Sequence, residues 1–273
     1  MRIATWNVNS LNARLPRVEE WLAYAEPDIL CLQETKMADS AFPTMAFAAL
    51  GYESAHHGNG RWNGVAILSR VGLVDVAAAF SGEASSEVAE ARIVSATCGG
   101  VRVASVYVPN GRSVGSEHYR DKLAWLARLR DHLEAECDPG GRIAVCGDFN
   151  VAPDARDVWD PGHFEGATHV SEPERRALGH LLDWGLVDGF RVRHEEEGLF
   201  SWWDYRAGDF HQHRGMRIDL VLLSRPLADR VTFALIDRFA RKGRQPSDHA
   251  PVLVDVDGAP GPTMPGAGGR GSA

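Results

Sequence analysis

The run Ile143-Ala144-Val145-Cys146-Gly147-Asp148-Phe149-Asn150 decides how this sequence is read. Its apolar residues are too few for a helix and fit a short buried strand. Gly147 allows the backbone to turn, so Asp148 and Asn150 stand at the strand's C-terminal end with the same side-chain parity. In layered α/β folds, sites are built where strands end in this way. The competing reading is a local Asx turn, in which both side chains only cap backbone groups. Polar groups elsewhere in the chain have to separate the two.

Working outward, the preceding segment Tyr119 to Leu133 is an amphipathic helix carrying Leu123, Leu126, Leu129 and Leu133. Residues 3–9 alternate as a first strand, followed by a helix with Leu15, Val18, Trp21 and Leu22 on one face. Asp28 to Glu34 is a second buried strand ending in an acid, and a helix over 41–50 is closed by Gly51. From Tyr52 the period changes to two, which predicts strands at 52–56, 65–69, 73–80, 91–98 and 101–108. The last two form a hairpin through Gly99-Gly100. Beyond Asn150 a loop-like stretch reaches Ser171, and a helix spans Pro173 to Trp184 with proline in its first turn. Further strands are expected at 201–205, 218–224, 231–236 and 251–256. No linker divides the chain, so residues 1–257 read as one domain of two packed sheets with helices outside. Residues 258–273, mostly Gly, Pro, Ala and Ser, read as a disordered tail.

The 273 residues, 44% hydrophobic, suffice for a large core. No apolar run reaches membrane-spanning length, and Met1-Arg2-Ile3 leads into a strand pattern rather than a signal peptide. Cys31, Cys98, Cys137 and Cys146 show no C-x-x-C pairing, which points to buried thiols in the cytoplasm. A formal net charge of -8 excludes a general polyanion-coating protein but leaves room for a local basic groove.

Chemistry-bearing groups recur where strands end. Asn7 and Asn9 close the first strand, Glu34 the second and Tyr107 a later one, while Asp148 and Asn150 close the central strand. Asp219 lies inside an apolar strand, with Arg217 as one candidate partner, and Asp248-His249 precede the last strand. Any one of these is more simply a turn former, a cap or a core residue, but their joint occurrence points to a shared site. Oxygen donors with few nitrogens and no cysteine suit Mg²⁺ or Mn²⁺, whereas zinc would call for His and Cys clusters. Such a site with an adjacent acid and a His–Asp pair suits phosphate-ester hydrolysis.

Eight segments together resemble the exonuclease III family of class II abasic-site endonucleases, within the endonuclease/exonuclease/phosphatase superfamily. They are Trp6-Asn-Val-Asn-Ser10 with Ala13-Arg14, Gln33-Glu-Thr-Lys36, Tyr107-Val-Pro-Asn-Gly111, Gly147-Asp-Phe-Asn150, Trp184-Gly-Leu-Val-Asp188, Phe200-Ser-Trp-Trp-Asp-Tyr-Arg206, Arg214-Gly-Met-Arg-Ile-Asp219 and Pro246-Ser-Asp-His-Ala-Pro251. The resemblance implies an α/β fold of the DNase I-like kind, a four-layer αββα sandwich of two mixed sheets. It implies Glu34 as the main Mg²⁺ ligand (Mn²⁺ substituting), with Asn7 and Asp248 nearby and Asp148, Asn150 and His249 available to a second metal. Asp148 would activate water, Asn150 and Tyr107 would stabilise the pentacovalent phosphate, and His249, held by Asp219, would contact it. The implied activity is cleavage 5′ to abasic sites in double-stranded DNA, with 3′→5′ exonuclease and 3′-phosphatase activity at 3′ ends. Val-Pro-Asn after Tyr107 and the doubled Trp202-Trp203 depart from the family pattern without removing a catalytic group.

From Arg206 to Arg244 nine Lys or Arg face four Asp, a local positive excess that phosphate binding requires. Trp202 or Trp203 can wedge into the gap left by a missing base. The DNA-contacting set expected is Asn110, Trp202, Trp203, Arg206, Arg214 and Arg217, and the chain is read by default as a monomer. The alternatives are a same-fold phosphodiesterase acting on RNA or lipid head groups, and a catalytically silent regulator.

Overall fold

A computed structural model describes residues 1–80 and 90–258. Of the tail expected at 258–273, residues 259–273 lie outside the described residues. The first half of the chain forms β1 (Arg2–Asn7), α1 (Leu11–Ala25), β2 (Ile29–Gln33), α2 (Thr44–Ala49), β3 (Glu53–His57), β4 (Val65–Ser69) and β5 (Val74–Ala78). Next come β6 (Ile93–Cys98), β7 (Val101–Tyr107), α3 (Glu117–Glu136), β8 (Ile143–Asp148), α4 (Glu172–Asp183) and β9 (Leu186–Asp188). The chain closes with β10 (Asp219–Ser224), α5 (Arg225–Ala228), β11 (Val231–Ile236) and β12 (Val252–Val256).

The strands form two six-stranded sheets, ordered β11-β12-β1-β2-β4-β3 and β5-β6-β7-β8-β10-β9. Each is mixed through one central parallel pair, β1 with β2 and β7 with β8. Alternation along the strands explains the layering, because successive side chains serve opposite faces. Ile3, Cys31, Ala144, Cys146, Val221, Val252 and Val254 fill the space between the sheets. Their neighbours Ala4, Trp6, Leu30 and Leu32 face α1 and α2 through Val18, Trp21, Leu22 and Phe47. On the other sheet, Val106, Val145, Leu220 and Leu222 meet Leu126, Leu129, Leu133, Leu178 and Leu181 of α3 and α4. Three apolar seams between four layers give the αββα sandwich, and they account for strands that are apolar on both faces.

Local signals place several boundaries. Ser116 caps α3 by accepting the backbone N–H of Tyr119 at 3.1 Å, and Ser171 with Glu174 forms a capping box at the start of α4. Gly99 and Gly100 both adopt positive φ (55° and 76°), as a tight hairpin between twisted strands requires.

Three expectations need correction. Residues 201–205 are not a strand: Trp202 makes single bridges to Met216 and to His249, which lead into strands of different sheets, so no ladder extends. The short β9 pairs with β10 where no alternating pattern marked a strand. Gly147 does not turn the chain. It lies within β8, and a Cβ there would sit 1.9 Å from the carbonyl oxygen of Val106, so glycine is required by close approach of the parallel neighbour.

Candidate active site

The two central parallel pairs bring their C-terminal ends to the same end of the sandwich, and sheet register sets what faces what. Tyr107 on β7 lies opposite Asp148 on β8, and Asp148 lies opposite Asp219 on β10. On the other sheet Asn7 closes β1 beside Gln33 of β2. Beneath them a buried polar bridge ties the sheets together: Thr5 Oγ1 donates to Gln33 Oε1 (3.0 Å) and Gln33 Nε2 to Ser105 Oγ (3.1 Å). Glu34 follows Gln33 with φ 51°, a left-handed conformation uncommon outside glycine.

Asn7 links the sheets directly. Its amide nitrogen donates to Glu34 Oε1 at 2.8 Å and to Asp148 Oδ2 at 2.9 Å, while its oxygen accepts the backbone N–H of Asn9. Ligating atoms of Glu34, Asp148 and His249 lie within 4.8 Å of one another, the one such His/Cys/Asp/Glu cluster among the described residues. Lys36 Nζ sits 2.8 Å from Glu34 Oε2 and donates to Asn9 Oδ1 at 2.7 Å. Asp248 stands at the rim, accepting from Asn9 Nδ2 (3.0 Å) and from Trp202 Nε1 (3.1 Å).

His249 lies between two carboxylates, with Nδ1 2.8 Å from Asp219 Oδ2 and Nε2 3.8 Å from Asp148 Oδ2. Asp219 also accepts from Ser201 Oγ at 2.6 Å. It does not pair with Arg217. Burial alone would lower the imidazole's pKa, but Asp219 and then Asp148 reverse this and raise it to about 10. Burial raises Asp148 to about 7, against the pull of His249. Burial, reinforced by Glu34 and Asp148, pushes the Tyr107 phenol well above its usual value. The two readings of the opening stretch coexist: Asp148 Oδ1 accepts the Asn150 backbone N–H at 2.9 Å, while Oδ2 faces Asn7 and His249.

Glu34, Tyr107, Asp148, Asp248 and His249 line a cavity of about 190 Å³ with Asn110, Asn150, His169 and Trp202. A larger cavity of about 550 Å³ between α3 and α4 lies on the outer face of the second sheet, away from this cluster. His169 was not singled out in the sequence, since it sits in an irregular loop with no local signal. Its Nδ1 lies 2.5 Å from the Asn150 carbonyl oxygen.

The expected DNA contacts divide. Asn110 is exposed at the rim, 3.4 Å from Asn150 Oδ1. Trp202 is half-buried and lines the cavity, whereas Trp203 is fully buried between the sheets. Arg214 is exposed over the Trp159 ring, and Arg206 is exposed in a two-pronged pair with Asp204. Arg217 must be removed from the set. Its side chain is fully buried, 2.7 Å from Asp157 Oδ1 and 2.7 Å from Asp188 Oδ2. Arg225 and Arg230 lie at the opposite end of β10 and β11 from the cavity, so the linear count of cations overstates the patch.

The family model described as Endonuclease/Exonuclease/phosphatase family matches residues 4–249. The chain belongs to that family. Within it, the chain is 34% identical to exodeoxyribonuclease III of Haemophilus influenzae, over 93% of this chain and 99% of that one. Among solved structures it resembles an AP endonuclease from Archaeoglobus fulgidus, at 38% identity and a TM-score of 0.90, covering 94% of this chain and 99% of that one. It is equally similar to the 3′ phosphatase NExo from Neisseria bound to product DNA hairpin, with 38% identity, a TM-score of 0.90 and the same coverage. As a member of the exodeoxyribonuclease III branch of the endonuclease/exonuclease/phosphatase family, the chain is a nuclease, a phosphodiester hydrolase.

Proposed function

We propose that this nuclease hydrolyses the phosphodiester 5′ to abasic sites in double-stranded DNA, leaving a 3′-hydroxyl, and acts on 3′ ends as a 3′→5′ exonuclease and 3′-phosphatase. The observation that carries this reading is the convergence of Glu34, Asp148 and His249 within 4.8 Å, at the cavity that Tyr107, Asn150 and Trp202 also line. The AP endonuclease and 3′ phosphatase relatives support both kinds of substrate.

The donor set fits Mg²⁺, with Mn²⁺ able to substitute: carboxylate oxygens and one imidazole, with no thiolate in the cluster. Glu34 would be the principal ligand, with Asp248 near and Asp148, Asn150 and His249 available to a second ion. Asn7 offers its amide nitrogen here, so it orients Glu34 and Asp148. When bound, the cation polarises a phosphoryl oxygen and offsets charge on the leaving oxygen.

Asp148, tethered through Oδ1, holds the attacking water at Oδ2 and takes its proton. Tyr107, kept protonated by burial and the flanking carboxylates, donates its O–H to the phosphate, and the Asn150 amide donates beside it. His249, cationic through Asp219, offers Nε2–H to a phosphate oxygen. Trp202, Arg214, Arg206 and Asn110 form the DNA-contacting rim.

Residues 1–257 would act as one monomeric domain. A cytoplasmic location fits the four free cysteines, three of them buried. No helix among the described residues is long and apolar enough to cross a membrane.

The test is cleavage of end-labelled duplexes carrying either one abasic-site analogue or a 3′-phosphate, with Mg²⁺ and then with EDTA, beside RNA and a phosphoinositide. Metal-dependent nicking 5′ to the lesion and release of 3′-phosphate are expected. Cleavage that persists in EDTA, or preference for RNA or lipid, would overturn the reading.

A further inference from the structure

Beneath the cavity lies an ion pair that the chemistry above does not use. Lys122 on α3 and Glu174 on α4 are joined directly, and both side chains are fully buried. Burying two charges costs desolvation that their mutual attraction need not repay. What the pair holds is therefore the relevant question. Lys122 Nζ donates to the carbonyl oxygen of Asn150 at 2.6 Å and to that of Asn110 at 3.3 Å. Glu174 Oε1 accepts from Thr168 Oγ1 (2.7 Å) and from the His169 backbone N–H (2.9 Å). Its Oε2 accepts from the backbone N–H of Ser171 (3.2 Å) and from Ser171 Oγ (2.6 Å).

Three stretches of two connections thus converge on two side chains: the loop between β7 and α3, and the two ends of the long segment between β8 and α4. Each delivers a cavity-lining group, respectively Asn110, Asn150 and His169. The three groups also touch one another, Asn110 Nδ2 lying 3.4 Å from both Asn150 Oδ1 and His169 Nε2. Asn150 holds φ at 51° and His169 at 76°. Non-glycine residues keep such conformations only where their surroundings impose them, and here the surroundings include a lysine and a histidine on the carbonyl of Asn150.

We propose that Lys122 and Glu174 are positioning residues for the nuclease reaction, a buried clamp that sets Asn110, Asn150 and His169 around the scissile phosphodiester. The proposal rests on the nuclease reading of the cavity. If the wild-type enzyme cleaves none of the duplexes, that reading fails; if the wild-type enzyme is active and the variants are too, the clamp fails.

The experiment compares wild type, Lys122→Met and the double variant Lys122→Met/Glu174→Gln. It measures kcat and KM on the duplex that the wild type cleaves best, duplex affinity in EDTA, and Tm. The single variant leaves Glu174 buried without its counter-ion and lowers Tm, and the double variant recovers part of that loss. In both, kcat falls about 100-fold, the scale of an ångström-sized misplacement of reacting groups. KM and the affinity in EDTA stay within about threefold, since Trp202, Arg206 and Arg214 of the DNA-contacting rim are untouched and Asn110 alone among the rim residues is displaced. A purely structural pair would let the folded double variant turn over at the wild-type rate. Such a result, a loss confined to KM, or failure of both variants to fold would overturn the proposal.

Discussion

Replacing Arg217 by methionine separates a structural arginine from a DNA-binding one. In the structure the guanidinium is fully buried, with Nε 2.7 Å and Nη2 3.2 Å from the two oxygens of Asp157 and Nη1 2.7 Å from Asp188. Arg191 adds a second contact to Asp157 at 2.5 Å, so two cations balance two carboxylates. Methionine keeps much of the volume but leaves Asp157 to Arg191 alone and takes the buried cation from Asp188. Breaking a buried pair by removing one partner costs about 3–5 kcal/mol, because a buried charge is left uncompensated. For a chain near this size each kcal/mol moves Tm by roughly 2–4 °C, so a drop on the order of 10 °C is expected in thermal melts. Duplex affinity, measured on the folded variant across a salt series, should be unchanged. A DNA-contacting arginine would behave oppositely: Tm would hold, affinity would fall, and the slope of log affinity against log salt would shrink by about 1. That pattern in Arg217→Met would refute the assignment.

Other outcomes follow from the same geometry. Glu34→Gln should reduce turnover by about a thousandfold, since loss of the proposed principal cation ligand would remove several kcal/mol of charge stabilisation, while duplex affinity in EDTA is kept; single-turnover cleavage and binding measured together check this. Trp203→Ala should destabilise by about 3–5 kcal/mol in urea unfolding through an unfilled core. Trp202→Ala should leave stability nearly unchanged and weaken binding to abasic duplex by about 1–3 kcal/mol. Arg217 and Arg191 hold the Asp157 carboxyl below its usual range, outweighing the upward push of burial. A depressed carboxylate contributes stability that is present above about pH 4 and lost as pH falls through its folded-state value. The Tm gap between wild type and Asp157→Asn should therefore narrow as melts are taken from neutral pH towards pH 3.

Much of the fold was legible because its signals are local. Ile143 to Cys146, the alternation of β1 and β6, and the leucine face of α3 each express a periodicity that a short window contains. The positions of Asn7, Glu34, Tyr107 and Asp148 followed from where apolar runs stop, and that of Asp219 from an acid set within an apolar run; the structure brings all five to one end of the sandwich. The segment 201–205 misled because its aromatic, β-prone composition resembles a strand, while its backbone is shared between two sheets and ladders with neither.

What the sequence determined by itself was most of the elements and the kind of chemistry, because spacing and side-chain type are written residue by residue. What only the tertiary structure decided was which of two alike residues does what. Trp202 and Trp203 are adjacent and identical in chemistry, yet one lines the cavity and one fills the core. Arg214 and Arg217 sit in one motif, yet one is exposed and the other is consumed by carboxylates, with Asp157 60 residues away in the chain. His169, Lys122 and Glu174 reach the site from a loop and two helices that no motif connects. Burial and partner choice are properties of packing between distant segments, so they exist only once the sheets have closed on one another.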